Sequence, residues 1–265
     1  MPELDDASWG AEDVVADFAT DGFTDPGERA ALTSLRAWVV DRDVLDIGVG
    51  GGRTTGMLLP HVRSYVGVDI AEEMLALARE RFPEADLREG DAAVLAGVAE
   101  RGHDLVMFSY NGLDSLDHAG RGRALAAMAR AVRPDGRVLF SSLNLDGVSH
   151  DEHPLRVAGG PASPRFRFHY GQYLRHPSSL LRSVRNYRAT RREAVDGPGW
   201  DMRPLRAHEF RFVVHFATVE ETLAEARAAG LEVLAAYADD GQALDLDVAH
   251  TDADYVHYVC RRRVP

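Results

Sequence analysis

Residues 44–55, Val-Leu-Asp-Ile-Gly-Val-Gly-Gly-Gly-Arg-Thr-Thr, join an aliphatic run, an acid and glycines at alternate positions, Gly48, Gly50 and Gly52. Glycine adopts positive φ without penalty and lets a backbone approach a ligand closely, so the pattern reads as a strand that stops in a ligand-cradling turn. Two residues restrict the ligand. A dinucleotide fingerprint would place glycine or another small residue at position 53, where Arg53 stands. Asp46 precedes the turn, where a carboxylate would repel a pyrophosphate and suit a cationic ammonium or sulfonium group. A helix opening after the glycines, with Arg53 and Thr54 at its mouth, would offer free N–H donors to a carboxylate.

The elements around this turn alternate. Strands are expected at Val44–Ile47, Tyr65–Val68, Ala85–Arg88, Asp104–Phe108 and Arg137–Leu143, the last following a Pro134-Asp135-Gly136 turn. Helices are expected between them, running through Leu58–Leu59 to Pro60, over 71–82 with Ala71, Leu75, Ala78 and Phe82 on one face, and over 122–133. Strands alternating with helices indicate a parallel sheet wrapped on both faces. Residues 146–209 break the alternation, with one clear helical patch near 177–190. A strand at Phe210–Phe216, a capped helix from Thr218 to Gly230 and strands at Leu231–Tyr237 and Asp254–Arg261 complete the chain. The first forty residues read as helical, with Asp25-Pro26 a plausible cap and Trp9, Phe18 and Phe23 as anchors for a lid or for simple packing.

In this order the motifs resemble the class I S-adenosylmethionine (SAM)-dependent methyltransferases, well over 40–145 and by pattern over 210–263. The local strings Phe-Ser-Tyr-Asn-Gly-Leu-Asp, Arg-Pro-Asp-Gly and Phe-Ser-Ser-Leu-Asn are similar to a bacterial small-molecule subgroup. That subgroup usually carries histidine where Leu143 stands, so no role of such a histidine transfers. The resemblance implies a Rossmann-like α/β fold, with a seven-stranded, mostly parallel sheet, helices on both faces and an antiparallel C-terminal strand. It implies three parts: a helical segment or lid at 1–40, a SAM-binding domain at 41–145 and 210–265, and a substrate cap at 146–209.

It also implies roles for single residues. Asp46 would reach the methionyl ammonium of SAM, while Gly48, Gly50, Gly52, Arg53 and Thr54 cradle the methionyl part. Asp69, 21 residues after Gly48, would take the ribose hydroxyls through charge-assisted hydrogen bonds. Ile70 and Met74 would pack on the adenine, with core packing open for Met74. Asp91 and Ala92 would bind the adenine edge, and Phe108, Ser109 and Tyr110 would face the methyl group, an aromatic there contacting the sulfonium by cation–π attraction.

Composition limits the remaining choices. The chain has 265 residues and a net charge of −12, which argues against a general nucleic-acid binder. It contains no lysine, which excludes Schiff-base chemistry on lysine. Its one cysteine, Cys260, lies in an apolar run and reads as a buried strand residue. No apolar stretch approaches the roughly 20 residues of a membrane span, so a cytoplasmic protein with no membrane or DNA partner is expected. No metal is expected, and a homo-oligomer stays open. Nine arginines and no acids lie between His153 and Arg192, a basic stretch suited to an anionic acceptor or to pairing with the chain's own acids. His150, His153, His169 and Tyr170 are base candidates for an oxygen acceptor. The expected activity is methyl transfer from SAM, with S-adenosylhomocysteine (SAH) as by-product, to O or N of a small molecule. Methylation of RNA or protein, and SAM or SAH binding without turnover, are the alternatives.

Overall fold

The computed structural model describes residues 25–110, 112–150, 152–156, 164–247 and 250–263, without the side chains of residues 164–167, 169, 172 and 208. Trp9, Phe18 and Phe23 lie outside the described residues.

The centre of the protein is a seven-stranded sheet of β1 (Asp43–Ile47), β2 (Ser64–Asp69), β3 (Asp86–Glu89), β4 (His103–Phe108), β5 (Val132–Leu143), β9 (Leu231–Ala238) and β10 (Tyr255–Arg262). Its order is β3-β2-β1-β4-β5-β10-β9, with β10 antiparallel to both neighbours and the first five strands parallel. Parallel strands covered on both faces read as unbroken apolar runs, and the two-residue period sorts neighbours into opposite layers. Leu45, Val106, Phe140 and Tyr258 face one layer with Leu125 and Met128 of α4 (His118–Ala131). Val44, Leu105, Leu139 and Val259 face the other, with Leu35 of α1 (Pro26–Val39) and Leu75 of α3 (Glu72–Arg81). Cys260 is fully buried in the first layer, where burial pushes its thiol pKa up, as a strand residue of the core would show.

Helix α1 begins where the sequence marks it. Asp25 caps it by accepting from Glu28 N at 2.8 Å, and Pro26 opens it. It docks closely on β9 and β10: a Cβ on Gly27 would sit 2.2 Å from Ala238 O. Asp25 Oδ1 lies 3.0 Å from His257 Nε2. This docking brings the fully buried Glu28 toward the glycine turn.

Several expected elements differ. The helix after the glycines is the short α2 (Thr55–Leu58) followed by a 3-10 turn at Leu59–His61. Phe82 falls just past α3 rather than on its face, and packs against Gly52 and Gly56. The β5 strand begins at Val132, with Arg133–Gly136 looped out between the His103–Val132 and Leu105–Arg137 pairs. The α4 helix starts four residues earlier than the apolar pattern shows, because Asp117 accepts from Gly120 N at 2.6 Å and sets the cap.

The largest difference lies beyond residue 150. Helices α5 (Pro164–Arg175) and α6 (Pro177–Thr190) are followed by a second sheet, β6 (Val195–Gly197), β7 (Trp200–Pro204) and β8 (Val213–Ala217), all antiparallel. The strand expected at Phe210–Phe216 therefore belongs to this small sheet and not to the main one. It meets the end of β5 through an Asn144–Ala217 bridge and a Leu145 N to Ala217 O bond of 3.1 Å. Helix α7 (Val219–Ala228), capped by Thr218 accepting from Glu221 N at 3.1 Å, returns the chain to β9. Among the described residues, no helix is long and apolar enough to cross a membrane.

Candidate functional site

The glycine turn leaves the carboxyl end of β1, where ligands of open α/β sheets bind. All three glycines have positive φ, 64° at Gly48, 53° at Gly50 and 84° at Gly52, yet their surroundings differ. A Cβ on Gly48 would lie 2.6 Å from the Phe108 ring, and one on Gly52 would lie 2.8 Å from the Phe82 ring. A Cβ on Gly50 would meet nothing within 4 Å, because that face opens into a cavity of about 510 Å³.

Asp69 closes the turn from β2. Its Oδ2 accepts from Gly50 N at 2.7 Å and its Oδ1 from Ala71 N at 2.9 Å, which fixes the carboxylate at the cavity wall. Burial raises its pKa against the opposing pull of those two N–H donors. Each carboxylate oxygen keeps a further lone pair for a hydroxyl donor. Asp91 and Ala92 line the same wall after β3, with Asp91 Oδ1 taking Ala93 N at 2.7 Å. Ile70, which is exposed, and Met74, which is buried, complete this end.

Asp46 sits differently. Its Oδ2 accepts from Thr54 Oγ1 at 2.5 Å and from Tyr65 Oη at 2.7 Å, and it is buried behind the turn rather than in the cavity lining. Burial pushes its carboxyl pKa up to about 6, with the Thr54 and Tyr65 hydrogen bonds acting the other way. Gly52 likewise stands behind the lining, while Arg53 and Thr54 belong to it. Arg53 is held from two sides: Nη1 and Nη2 bind Glu28 at 2.6 and 2.8 Å, and its guanidinium lies 4.7 Å above the Tyr110 ring. Ser109 Oγ accepts from Arg53 Nη2 at 3.3 Å. Tyr110 reaches this position through a φ of 53°, costly for a bulky residue and found mainly where function or packing demands it.

Beyond Phe108 the cavity changes character. Its far wall is Leu205, Ala207, Phe212, Val214 and Tyr255, supplied largely by the loop and strand that end the second sheet. Phe212 and Val214 pack with Leu143 and Phe216 in their own apolar cluster, so the wall is backed by core. Arg53 is the one arginine among the described residues of the lining.

The base candidates stand elsewhere. His150 Nε2 is 2.6 Å from Asp201 Oδ2, with its ring edge-on to Phe216. His153 packs edge-on against Tyr187 and accepts from Leu155 N at 3.1 Å. Tyr170 donates to Leu155 O at 2.7 Å, and the His169 side chain lies outside the described residues. His150, His153 and Tyr170 are not among the cavity-lining residues. Two arginines of residues 146–209 find acids of the chain: Arg182, within the basic stretch, meets Glu209 at 2.6 Å, and buried Arg206, beyond it, meets Glu152 at 2.8 Å.

Sequence reasoning missed Glu28, Tyr65 and the far wall. Glu28 and Tyr65 act through contacts between residues far apart in the chain. The far wall lies where Arg, His and Pro obscure the two-residue period. A parallel sheet with a glycine turn, an acid at the end of the second strand and an open cleft at the switch between β1 and β4 defines a nucleotide-cofactor enzyme of the methyltransferase type. The comparisons agree. A methyltransferase-domain family profile matches residues 44–136. The ubiquinone biosynthesis O-methyltransferase of Methylococcus capsulatus is 30% identical over 169 residues, which cover 60% of this chain and 67% of that protein. Among solved structures, a SAM-dependent methyltransferase from Clostridium acetobutylicum aligns with TM-score 0.59 at 13% identity, covering 90% of this chain and 92% of that one. The CcbJ methyltransferase from Streptomyces caelestis aligns with TM-score 0.59 at 18% identity, covering 95% and 96%. The chain belongs to the class I SAM-dependent methyltransferases, and it is an enzyme of that kind.

Proposed function

We propose that this enzyme methylates an oxygen of an apolar, ring-bearing small molecule. The observation that carries this reading is the continuous cavity, polar at the glycine turn and apolar where β8 and its preceding loop face Phe108. The oxygen preference rests on the likeness to the Methylococcus capsulatus O-methyltransferase.

In this reading Asp69 takes the ribose hydroxyls, Gly50 leaves room for the nucleoside, and Asp91 accepts from the adenine amino group. Arg53 and Thr54 serve the methionyl carboxylate. Asp46, shielded by two hydroxyls, contributes a negative field near the ammonium from behind the turn. SAM supplies a methyl group activated on a sulfonium. The protein then has to align the acceptor oxygen behind that methyl, and alignment alone can remove several kcal/mol of barrier. The hydroxyl proton of the acceptor passes to solvent, because His150, His153 and Tyr170 lie outside the cavity lining. Phe108 and Tyr110 present ring faces to the positive sulfur, and the apolar wall excludes water that would compete for the methyl. An apolar far wall, with no arginine among its described residues, favours a neutral acceptor over an anionic one.

The test measures SAH formation with matched acceptors: a neutral phenol, its carboxylated analogue, an aryl amine and short RNA. Faster turnover of the neutral phenol supports the reading. Turnover confined to the carboxylate, the amine or RNA would reject it. Failure of both SAM and SAH to shift the melting temperature would remove its cofactor basis.

A further inference from the structure

On the far side of β8 from the acceptor wall, three side chains from three elements converge. They are His118 at the start of α4, His215 on β8 and Glu225 on α7. His118 Nδ1 is 3.2 Å from His215 Nε2 and 3.5 Å from Glu225 Oε1, and the three ligand atoms all lie within 4.8 Å of one another. We infer that this cluster is a binding site for a divalent cation of the zinc type, which joins the second sheet to the main domain.

An ion held at about 2.0–2.1 Å from imidazole nitrogen and about 2.0–2.2 Å from carboxylate oxygen in a tetrahedron sets its ligand atoms roughly 3.3–3.5 Å apart. The separations of 3.2 and 3.5 Å lie within about 0.1 Å of that spacing, and the third pair of ligand atoms lies within 4.8 Å. Two imidazoles and one carboxylate are a donor set that zinc takes, with a fourth position left to water. His118 is about a third exposed, 37% of its side chain, which supplies an entry path, while His215 is fully buried and Glu225 nearly so.

Glu225 provides the second, independent observation. Its Oε2 is taken by Arg121 Nε at 2.7 Å, but Oε1 is buried without a hydrogen-bond partner and faces the two histidines. A buried carboxylate oxygen left unsatisfied is costly, and native proteins rarely leave one so. A His118–His215 hydrogen bond accounts for the 3.2 Å contact, and the 3.5 Å approach of His118 to Glu225 leaves Oε1 without a hydrogen bond; a shared cation satisfies both. Outer contacts hold the ligands in place, as metal sites require. Trp200 stacks on the His118 ring at 4.1 Å and 4° and lies 5.3 Å from His215. Arg121 fixes Glu225 and is itself anchored by Asp114 at 2.5 Å.

Untagged protein, stripped with chelator, is titrated with Zn²⁺ by calorimetry and with Co²⁺ by visible absorption. The expected result is one equivalent bound, tetrahedral Co²⁺ bands and, at 100-fold excess over Kd, a rise in melting temperature of about 5–10 °C. His118→Ala, at a partly exposed position, and Glu225→Gln should each weaken Zn²⁺ binding at least about tenfold and erase the Co²⁺ bands. Absence of stoichiometric Zn²⁺ binding overturns the inference. So does binding that His118→Ala and Glu225→Gln both leave intact. SAM binding by calorimetry in the stripped protein reports separately on the cofactor site.

Discussion

Gly50 and Gly52 look alike in sequence and in φ, yet the structure gives them different tasks, and alanine at each separates those tasks. Both substitutions force a Cβ into the left-handed region, which costs about 1–2 kcal/mol. At Gly52 the new methyl also strikes the Phe82 ring at 2.8 Å, and overpacking of that kind adds about 1–3 kcal/mol. For a protein of this size each kcal/mol lowers Tm by about 2–4 °C, so Gly50→Ala should lose roughly 2–8 °C and Gly52→Ala roughly 4–20 °C. Affinity should follow the opposite order. At Gly50 the methyl points into the open cavity, where it displaces the ligand by about a methyl radius. A misfit of about 1–3 kcal/mol raises the Kd for SAM roughly 5- to 150-fold. Gly52 stands behind the lining and its methyl meets Phe82, so its SAM affinity should change less than about threefold once the folded fraction is counted. Calorimetric SAM titration at a temperature where both variants are folded, paired with melting curves, measures both orders. If Gly52→Ala loses more affinity than Gly50→Ala, the placement of the cofactor against Gly50 is refuted.

Asp69→Ala removes the carboxylate that braces Gly50 and Ala71 and should weaken SAM binding by about 1.5–3 kcal/mol by calorimetry; unchanged affinity would exclude it as the ribose acid. Asp46 has a folded pKa of about 6 against roughly 4 unfolded, so the folded state holds a proton that the unfolded chain releases. Its contribution to stability therefore falls as pH rises from about 4 through 6. Relative to the native chain, Asp46→Asn should gain about 2 kcal/mol in urea unfolding between pH 4.5 and 7.5, and a flat difference would show that Asp46 is ionised throughout. Arg121→Met strands Asp114 and Glu225 in the interior and should cost about 3–5 kcal/mol by the same measurement; a loss below about 1 kcal/mol would show those carboxylates are otherwise stabilised.

The sequence was most legible where one physical signal dominated. Val44–Ile47, His103–Phe108 and Val256–Cys260 are buried on both faces, so their apolar runs stand out without help from tertiary context. The glycine turn, Asp69 and Asp91 were legible because a turn and two strand ends fix their places along the chain. Legibility failed where a partner far away in sequence decides the outcome. Asp46 carries its charge pattern openly, but the Thr54 and Tyr65 hydroxyls that hold its carboxylate behind the turn are known only from the fold. The arginine stretch from 153 to 192 suggested an anion site. Arg182 instead spends its charge on Glu209, seventeen residues past that stretch. Helix α5 was missed because alternating Arg and Phe at 165–168 has the period of a strand and not of a helix.

The strand Val213–Ala217 ties the apolar far wall of the cavity to the main domain. Its two-residue period turns Val214 toward the cavity and His215 toward α4 and α7, so adjacent residues face the cavity and the His118–Glu225 cluster. Any contact that fixes His215 therefore fixes the position of Val214 about one residue rise, some 3.4 Å, along the same backbone. Phe212 and Phe216 flank Val214 on the cavity-side face and pack with Leu143 at the end of β5, which ties the wall from that side as well. A small sheet inserted in a loop-rich region would ordinarily be free to shift by more than the width of a methyl group. In-line transfer does not tolerate that much misplacement. Anchoring on both faces of one strand meets the requirement without a large interface, and on the proposed function the side chains of β8 set which acceptor is methylated.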